Sequence, residues 1–215
     1  MFNLNGVQYA ESLGSAVNAG HCLARPRTGG GVALSREQVV AADVDLLRRY
    51  GLGDLSMRRL ARELGVAPGA LYWHVSNKQE LLVEVADALL AEIPPAPTDR
   101  PAAEALTGLA IALREALVQV PDAADVVGLA YALEPGATRA LRDLARLVHD
   151  AGATVSERDD VASLVVNHIL GSVAAQQNRV LAARVDPDLP TPDSTAEAKA
   201  FEVGLAVILR GLGAD

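Results

Sequence analysis

The sequence predicts an all-α protein, and three observations carry that prediction. Ala, Leu and Val dominate a 215-residue chain that is 50% hydrophobic but only 3% aromatic, so strand-favouring aromatic side chains are scarce. Apolar residues recur at i, i+3, i+4 and i+7 rather than at every second position. Pro, Gly and capping residues punctuate these runs where helix ends require them. Such a chain can bury a sizeable core without disulfides. Its single cysteine, Cys22, provides neither an internal disulfide nor a metal cluster and fits a reducing cytoplasm. No stretch of eighteen apolar residues occurs, and the first twenty residues lack a basic start leading into an apolar run. Neither a membrane span nor a secretion signal is therefore expected.

Residues 1–34 have no clear period and reach Gly29-Gly30-Gly31 near their end, which reads as a flexible extension. A solvated tail is preferred there to a basic arm in which Arg25 and Arg27 reach a minor groove. Ser35 caps a helix running to about Tyr50, with Val40, Val44 and Leu47 inward and Gly51 as its stop. Ser56 caps a shorter helix whose Met57, Leu60, Ala61 and Leu64 share one side. Gly65-Val66-Ala67 is a three-residue turn, and Pro68 fits the first position of the next helix, where its missing N–H costs nothing. The result is a helix-turn-helix.

In the second helix of that motif Leu71 and Val75 fall on one face, which directs Gly69, Tyr72, Trp73 and His74 elsewhere. A short helix presenting Tyr, Trp and His beside Arg58 and Lys78 suits DNA: rings meet sugars and thymine methyls, and polar tips meet phosphates or base edges. Singly, each aromatic is more often part of a core. Together, in this frame, they favour DNA. Ser56, Met57, Arg58, Pro68, Gly69, Ala70, Tyr72, Trp73, His74 and Lys78 are the candidate DNA contacts.

Asn77 and Glu80 form an Asn-x-x-Glu capping box, opening a helix lined by Leu82, Val85, Ala86, Leu89 and Ile93 and ended by Pro94-Pro95-Ala96-Pro97. Further helices are expected over residues 101–120, 122–133 and 135–151, the last closed by Gly152. Ser156-Glu157-Arg158-Asp159 reads as the cap of a long helix to about Ala183, on which Val161, Leu164, Val165, His168, Ser172 and Ala175 share a face. A proline-rich loop over 185–193 precedes a last helix, 195–212, with Phe201, Leu205, Ile208, Leu209 and Leu212 at helical spacing.

The net charge of −8 argues against nucleic acid until it is divided. Residues 1–34 carry +1, residues 35–80 carry +1, and residues 81–215 carry ten basic and twenty acidic side chains, −10. Acidity at the back keeps that part off DNA and leaves the helix-turn-helix as the binding face.

Leu34-Ser35-Arg36-Glu37, Leu46-Leu47, Gly51, Arg58-Arg59-Leu60-Ala61, Leu64-Gly65-Val66, Leu71-Tyr72-Trp73-His74-Val75 and Asn77-Lys78 together resemble the DNA-binding domain of the tetracycline-repressor (TetR) family. The likeness is specific over about 34–93 and rests on helix pattern and the stretch 166–177 beyond. It implies an N-terminal three-helix helix-turn-helix DNA-binding domain and a C-terminal helical ligand-binding and dimerisation domain. The division is 1–34 extension, 35–80 DNA-binding domain linked by helix 77–93, and 94–215 effector-binding and dimerisation domain. The resemblance further implies a cytoplasmic homodimer formed by the last two long helices, double-stranded operator DNA as partner, and regulation, most often repression, by a small-molecule effector. Helix 77–93 would be the lever between head and body.

Ala67, Pro68 and Gly69 stand where the tetracycline repressors carry longer polar side chains, so the operator sequence does not transfer. No histidine lies between Val75 and Val148, so the histidine that in the tetracycline repressors helps hold the magnesium of a metal-tetracycline complex has no counterpart, and an effector other than tetracycline, bound without a metal, is expected. The body is apolar with few polar groups, so a largely apolar effector is expected, with Tyr131, Asn167, His168 and Gln176 as candidate contacts. His168, beside Asn167, Gln176 and Gln177, reads at least as well as a core or interface hydrogen-bonding group, and Tyr131 as a tyrosine with its tip at the surface. No carboxylate pair, Cys/His/Asp set, phosphate-binding glycine loop or metal-spaced cluster supports catalysis, and no cofactor is expected. The alternative function is a helical-bundle carrier or enzyme whose aromatic run walls a pocket.

Overall fold

A computed structural model describes residues 34–212. Among them nine α-helices and one 3-10 turn occur, with no strand. The sequence expectations for residues 1–33, including the extension, Cys22 and the arginines at 25 and 27, lie outside the described residues.

α1 (Arg36–Tyr50) opens with a complete capping box: the Ser35 hydroxyl accepts from Gln38 N–H, and the Gln38 amide oxygen accepts from Ser35 N–H. Its buried residues are Val39, Asp43, Val44, Leu46 and Leu47, while Val40, expected inward, is half-buried. Val44 and Leu47 are buried as expected, and Val39 and Leu46 join them because α1 is covered on two sides, by α2 and by α4. Gly51 stops the helix at φ 74°, donating to Leu47 O at 2.8 Å. A 3-10 turn (Leu52–Asp54) leads to α2 (Met57–Glu63), whose first turn is capped by the Ser56 hydroxyl accepting from Arg59 N–H.

The second helix of the motif is short. α3 covers only Pro68–Leu71, and Tyr72, Trp73 and His74 continue it as a tight turn, with His74 N–H donating to Leu71 O at 2.9 Å and Val75 N–H to the same oxygen at 3.0 Å. α4 (Lys78–Leu90) is capped by Asn77, whose side chain accepts from Glu80 N–H at 2.8 Å. The reciprocal half of the expected box reaches one residue further back: the Glu80 carboxylate takes Ser76 N–H at 2.8 Å. Ile93 and Ala96 are buried, and the proline segment around them is fastened to α7, Ala96 N–H donating to Asp143 and the Arg139 guanidinium to Ile93 O.

α5 (Ala102–Val118) and α6 (Ala123–Leu133) follow closely the expected spans. α7 (Arg139–Asp150) starts later than Pro135, because Thr138 is the residue whose buried hydroxyl caps Leu141 N–H, and Pro135-Gly136 form the preceding turn. α8 (Arg158–Val185) lacks a side-chain cap at Glu157; the Thr154 hydroxyl holds the Glu157 carboxylate instead. Its buried face is Ala162, Val165, Val166, Ile169, Val173 and Gln176, so the expected face is rotated, and Leu164 is 51% exposed. α9 (Ser194–Gly211) is capped by Asp193 through Thr195 N–H and buries Phe201, Leu205 and Leu209.

The body packs α5 against α7 and α8, and α9 against α8. α4 packs chiefly on α6 and α1, so it bridges the helix-turn-helix and the body. Among the described residues no helix is long and apolar enough to cross a membrane.

Candidate nucleic-acid interface and effector cavity

The head is held rigid from within. Arg36, at the start of α1, reaches Glu80 and Glu84 on α4 and donates to His74 O at 3.1 Å, so it fixes the turn after α3 to α4. The Ser76 backbone N–H and hydroxyl, then Arg36, hold the Glu80 carboxyl down to about 2. Arg49 on α1 pairs with Asp45 at 2.6 Å and with Glu63 on α2 at 2.5 Å. Arg59 pairs with Asp54 at 2.8 Å and lies 3.9 Å from the centre of the Tyr50 ring. Asp43 is the strained member: burial pushes its carboxyl up to about 6, with Lys78 as the one opposing charge.

Those pairs leave a definite remainder. Among the described residues Arg48, Arg58, Arg62 and Lys78 in the head have no carboxylate within ion-pairing distance. Arg58 and Arg62 are exposed and stand at i, i+4 on α2. Lys78 is exposed but donates to Leu55 O at 3.2 Å, so its ammonium is steered toward the start of α2. Arg48 and Arg62 are absent from the sequence-based candidates, although the spacing of Arg62 from Arg58 is legible there.

Tyr72 is 54% and Trp73 89% exposed, so neither is a core aromatic; Leu71 and Val75 fill that role. His74 is half-buried with its carbonyl engaged by Arg36. Pro68 and Gly69 are exposed and Ala70 half-buried, and nothing lies within 4 Å of where a Gly69 side chain would start. Ser56 serves α2 as its cap, and Met57 is half-buried against the core. Tyr72 and Trp73 are the exposed aromatic projections of this stretch.

The four candidate effector contacts are not brought together. Tyr131 walls a cavity of about 500 Å³ between α6, α7 and α8, its hydroxyl 3.0 Å from the Ser163 hydroxyl. Asn167 and His168 line a shallower cleft between α8 and α9. There the His168 ring stacks on Phe201 at 4.9 Å, and its Nε2 lies 2.9 Å from Phe201 O, which matches the structural reading of this residue. Gln176 is buried and accepts from Arg114, a buried arginine of α5 that the sequence reading passes over. The cavity has a floor of Leu141, Leu144, Ala145, Ala162 and Val166, as an apolar body predicts. Its rim carries Arg142, Arg146, His149, Arg158 and Asp159, more charge than the sequence reading allows for.

Head and body touch at Asp122, immediately before α6. Its carboxylate accepts Leu52 N–H at 2.8 Å, and its own backbone sits at φ 56°, a conformation uncommon outside glycine. A side chain at Gly51 would start 2.5 Å from that carboxylate, so Gly51 is required twice, for its positive φ and for this approach.

Comparison with known proteins agrees with this geometry. The family model described as bacterial regulatory proteins, tetR family, matches residues 39–85. The tetracycline repressor protein class A from transposon 1721 of Escherichia coli is 33% identical over 200 residues, 83% of this chain and 90% of the repressor. The crystal structure of Mycobacterium smegmatis BioQ superposes with a TM-score of 0.71 at 36% identity, covering 83% of this chain and 97% of BioQ. BioQ with its double-stranded DNA operator gives 0.70 at 34% identity, covering 85% and 99%. The chain belongs to the TetR family of transcriptional regulators.

Proposed function

We propose that this protein is a homodimeric repressor that holds a near-palindromic operator through its two heads and releases it when a small molecule enters the body. The observation that carries the DNA half is the outward Tyr72 and Trp73 beside cations without carboxylate partners. Water is a poor environment for an almost bare indole, and a duplex supplies sugars and methyls for the rings and phosphates for Arg58, Arg62 and Lys78. One short α3 reads few bases, so two heads are needed about 34 Å or a multiple of one turn apart.

The dimer face is assigned to α8 and α9. Leu205 and Leu209, natural choices from spacing alone, are consumed inside the protomer. Leu164, Leu181, Val185, Val203 and Val207 are left 51–78% exposed on the same two helices, and a second copy would cover them. The effector is assigned to the cavity between α6, α7 and α8, with a largely apolar body on its floor and no metal. Such a regulator acts in the cytoplasm, where its operator is.

A mobility-shift assay with DNA upstream of its own and neighbouring genes tests the reading. Sequence-specific retardation that competitor DNA does not abolish is expected. Failure to bind any such fragment, or a monomer at micromolar concentration in light scattering, would count against it.

A further inference from the structure

We infer that the cavity between α6, α7 and α8 selects an amphipathic monoanion, an apolar body carrying one carboxylate, with Arg142 as the group that receives the charge. The inference rests on the assignment of that cavity to the effector and names the chemical class it takes.

The arginines at the rim and on the adjoining turns of α7 are paired with carboxylates, with one exception. Arg158 is paired with Asp159 at 3.0 Å. Arg146 is shared between Asp150 at 3.1 Å and Asp143 at 3.8 Å, and Arg139 approaches Asp143 at 3.8 Å. Those three arginines face three aspartates and are balanced. Arg142 is the exception: its guanidinium donates to Gly136 O at 2.5 Å and Ala137 O at 3.0 Å, both neutral carbonyls, and among the described residues no carboxylate pairs with it. Those bonds tether Arg142 to the turn before α7, at the cavity mouth. They use one terminal nitrogen and leave the other donors of the fork for a carboxylate.

The rest of the cavity suits the same ligand. The floor of Leu141, Leu144 and Val166 accepts the apolar body, and the Tyr131–Ser163 hydroxyl pair gives the wall one neutral polar contact. A volume of about 500 Å³ exceeds what a two-ring or ten-carbon acid needs. One unbalanced cation matches one negative charge, whereas a dianion would leave a charge uncompensated. The body from 81 to 215 carries twenty acidic and ten basic side chains, so an anion is repelled from most of this surface and a local excess of positive charge is selective.

The test is calorimetric titration of the full chain with 2-naphthoate and decanoate, each against its neutral amide. The acids should bind about tenfold or more tightly than the amides. Arg142→Gln, which keeps a donor for the turn, should erase that preference, and Arg142→Lys should retain part of it. Acids that bind no better than amides, acids that do not bind, or a preference that survives Arg142→Gln would each overturn the inference. Operator affinity measured with the same compounds separates the two readings. Amides that bind and release DNA as well as acids would leave the effector assignment standing and remove the anion. Acids that bind through Arg142 without changing operator affinity would do the reverse.

Discussion

Trp73→Ala separates recognition from folding, because this side chain contributes almost nothing to the core. A tryptophan presents about 250 Å², and Trp73 is 89% exposed in the protomer. Covering roughly 100 Å² of it on deoxyribose and a thymine methyl would release about 2.5 kcal/mol at about 25 cal/mol/Å². Rotamer ordering and incomplete burial reduce this to about 1–2 kcal/mol per head. Two heads on one operator then give about 2–4 kcal/mol, a loss of roughly thirtyfold to nearly a thousandfold in affinity. The folded protein should be indifferent, with stability unchanged within about 0.5 kcal/mol. Fluorescence anisotropy on labelled operator, beside a urea melt, measures both. Trp73 is also the single tryptophan of the chain, so its own emission reports the contact directly. Unchanged operator affinity, or an indole spectrum insensitive to operator, would refute the assignment; a large loss of stability would show that Trp73 is structural after all.

Lys78→Ala should weaken binding to all sequences alike and reduce the slope of log K against log salt by about one per head; an unchanged slope removes Lys78 from the interface. Asp43 has its folded value raised above the ordinary 3.8 to about 6, so its contribution to stability is fully present below about pH 4 and is lost as pH rises through 6. Asp43→Asn should therefore add up to about 3 kcal/mol at pH 7.5 and flatten the dependence between pH 4.5 and 7, read from urea melts at both ends. Glu80 acts in the opposite sense, its depressed value near 2 keeping its contribution until the pH falls below the ordinary 4.5. Gly204→Ala would place a methyl 2.4 Å from the His168 ring, which Phe201 stacks and holds, so α8 and α9 must separate at a cost of about 1–3 kcal/mol; a thermal melt within 1 °C of the parent would show that the ring simply yields, about the scale of a 0.3 kcal/mol effect.

The head was legible because its signals are local. Ser35, Ser56 and Asn77 cap the helices they were expected to cap, Gly51 ends α1, and Leu71 and Val75 are buried where their spacing puts them. The body was legible as helices but not as faces. α8 is 28 residues long and meets α5, α6, α7 and α9, so apolar residues surround it and no single stripe can be read off. By spacing and hydrophobicity alone, Leu205 and Leu209, which are buried within the protomer, could not be told from the exposed Val203 and Val207. The charged rim of the cavity comes from α7 and the start of α8, whose arginines read from sequence as an ordinary solvated helix face. Only the partner accounting separates Arg142 from the others.

Under the proposed function the remaining question is how a ligand at the cavity changes the heads, and α6 offers the shortest route. Its last turn carries Tyr131 on the cavity wall, and Asp122 at its other end grips Leu52 between α1 and α2. Eleven residues of α-helix span about 16 Å and transmit a displacement rather than absorb it. α4, expected from sequence to be the lever, packs chiefly on α6, so the two move together or not at all. The residue that makes this bond has its own backbone at φ 56°. A ligand that prefers the released arrangement by about 3 kcal/mol lowers operator affinity by roughly two orders of magnitude. Asp122→Ala removes the grip and relieves nothing at the cavity, so it should leave ligand affinity in the protein without DNA within a few-fold while shrinking the ligand's effect on operator binding. A variant that still releases DNA in full on saturation with ligand would show that α4 carries the signal without Asp122.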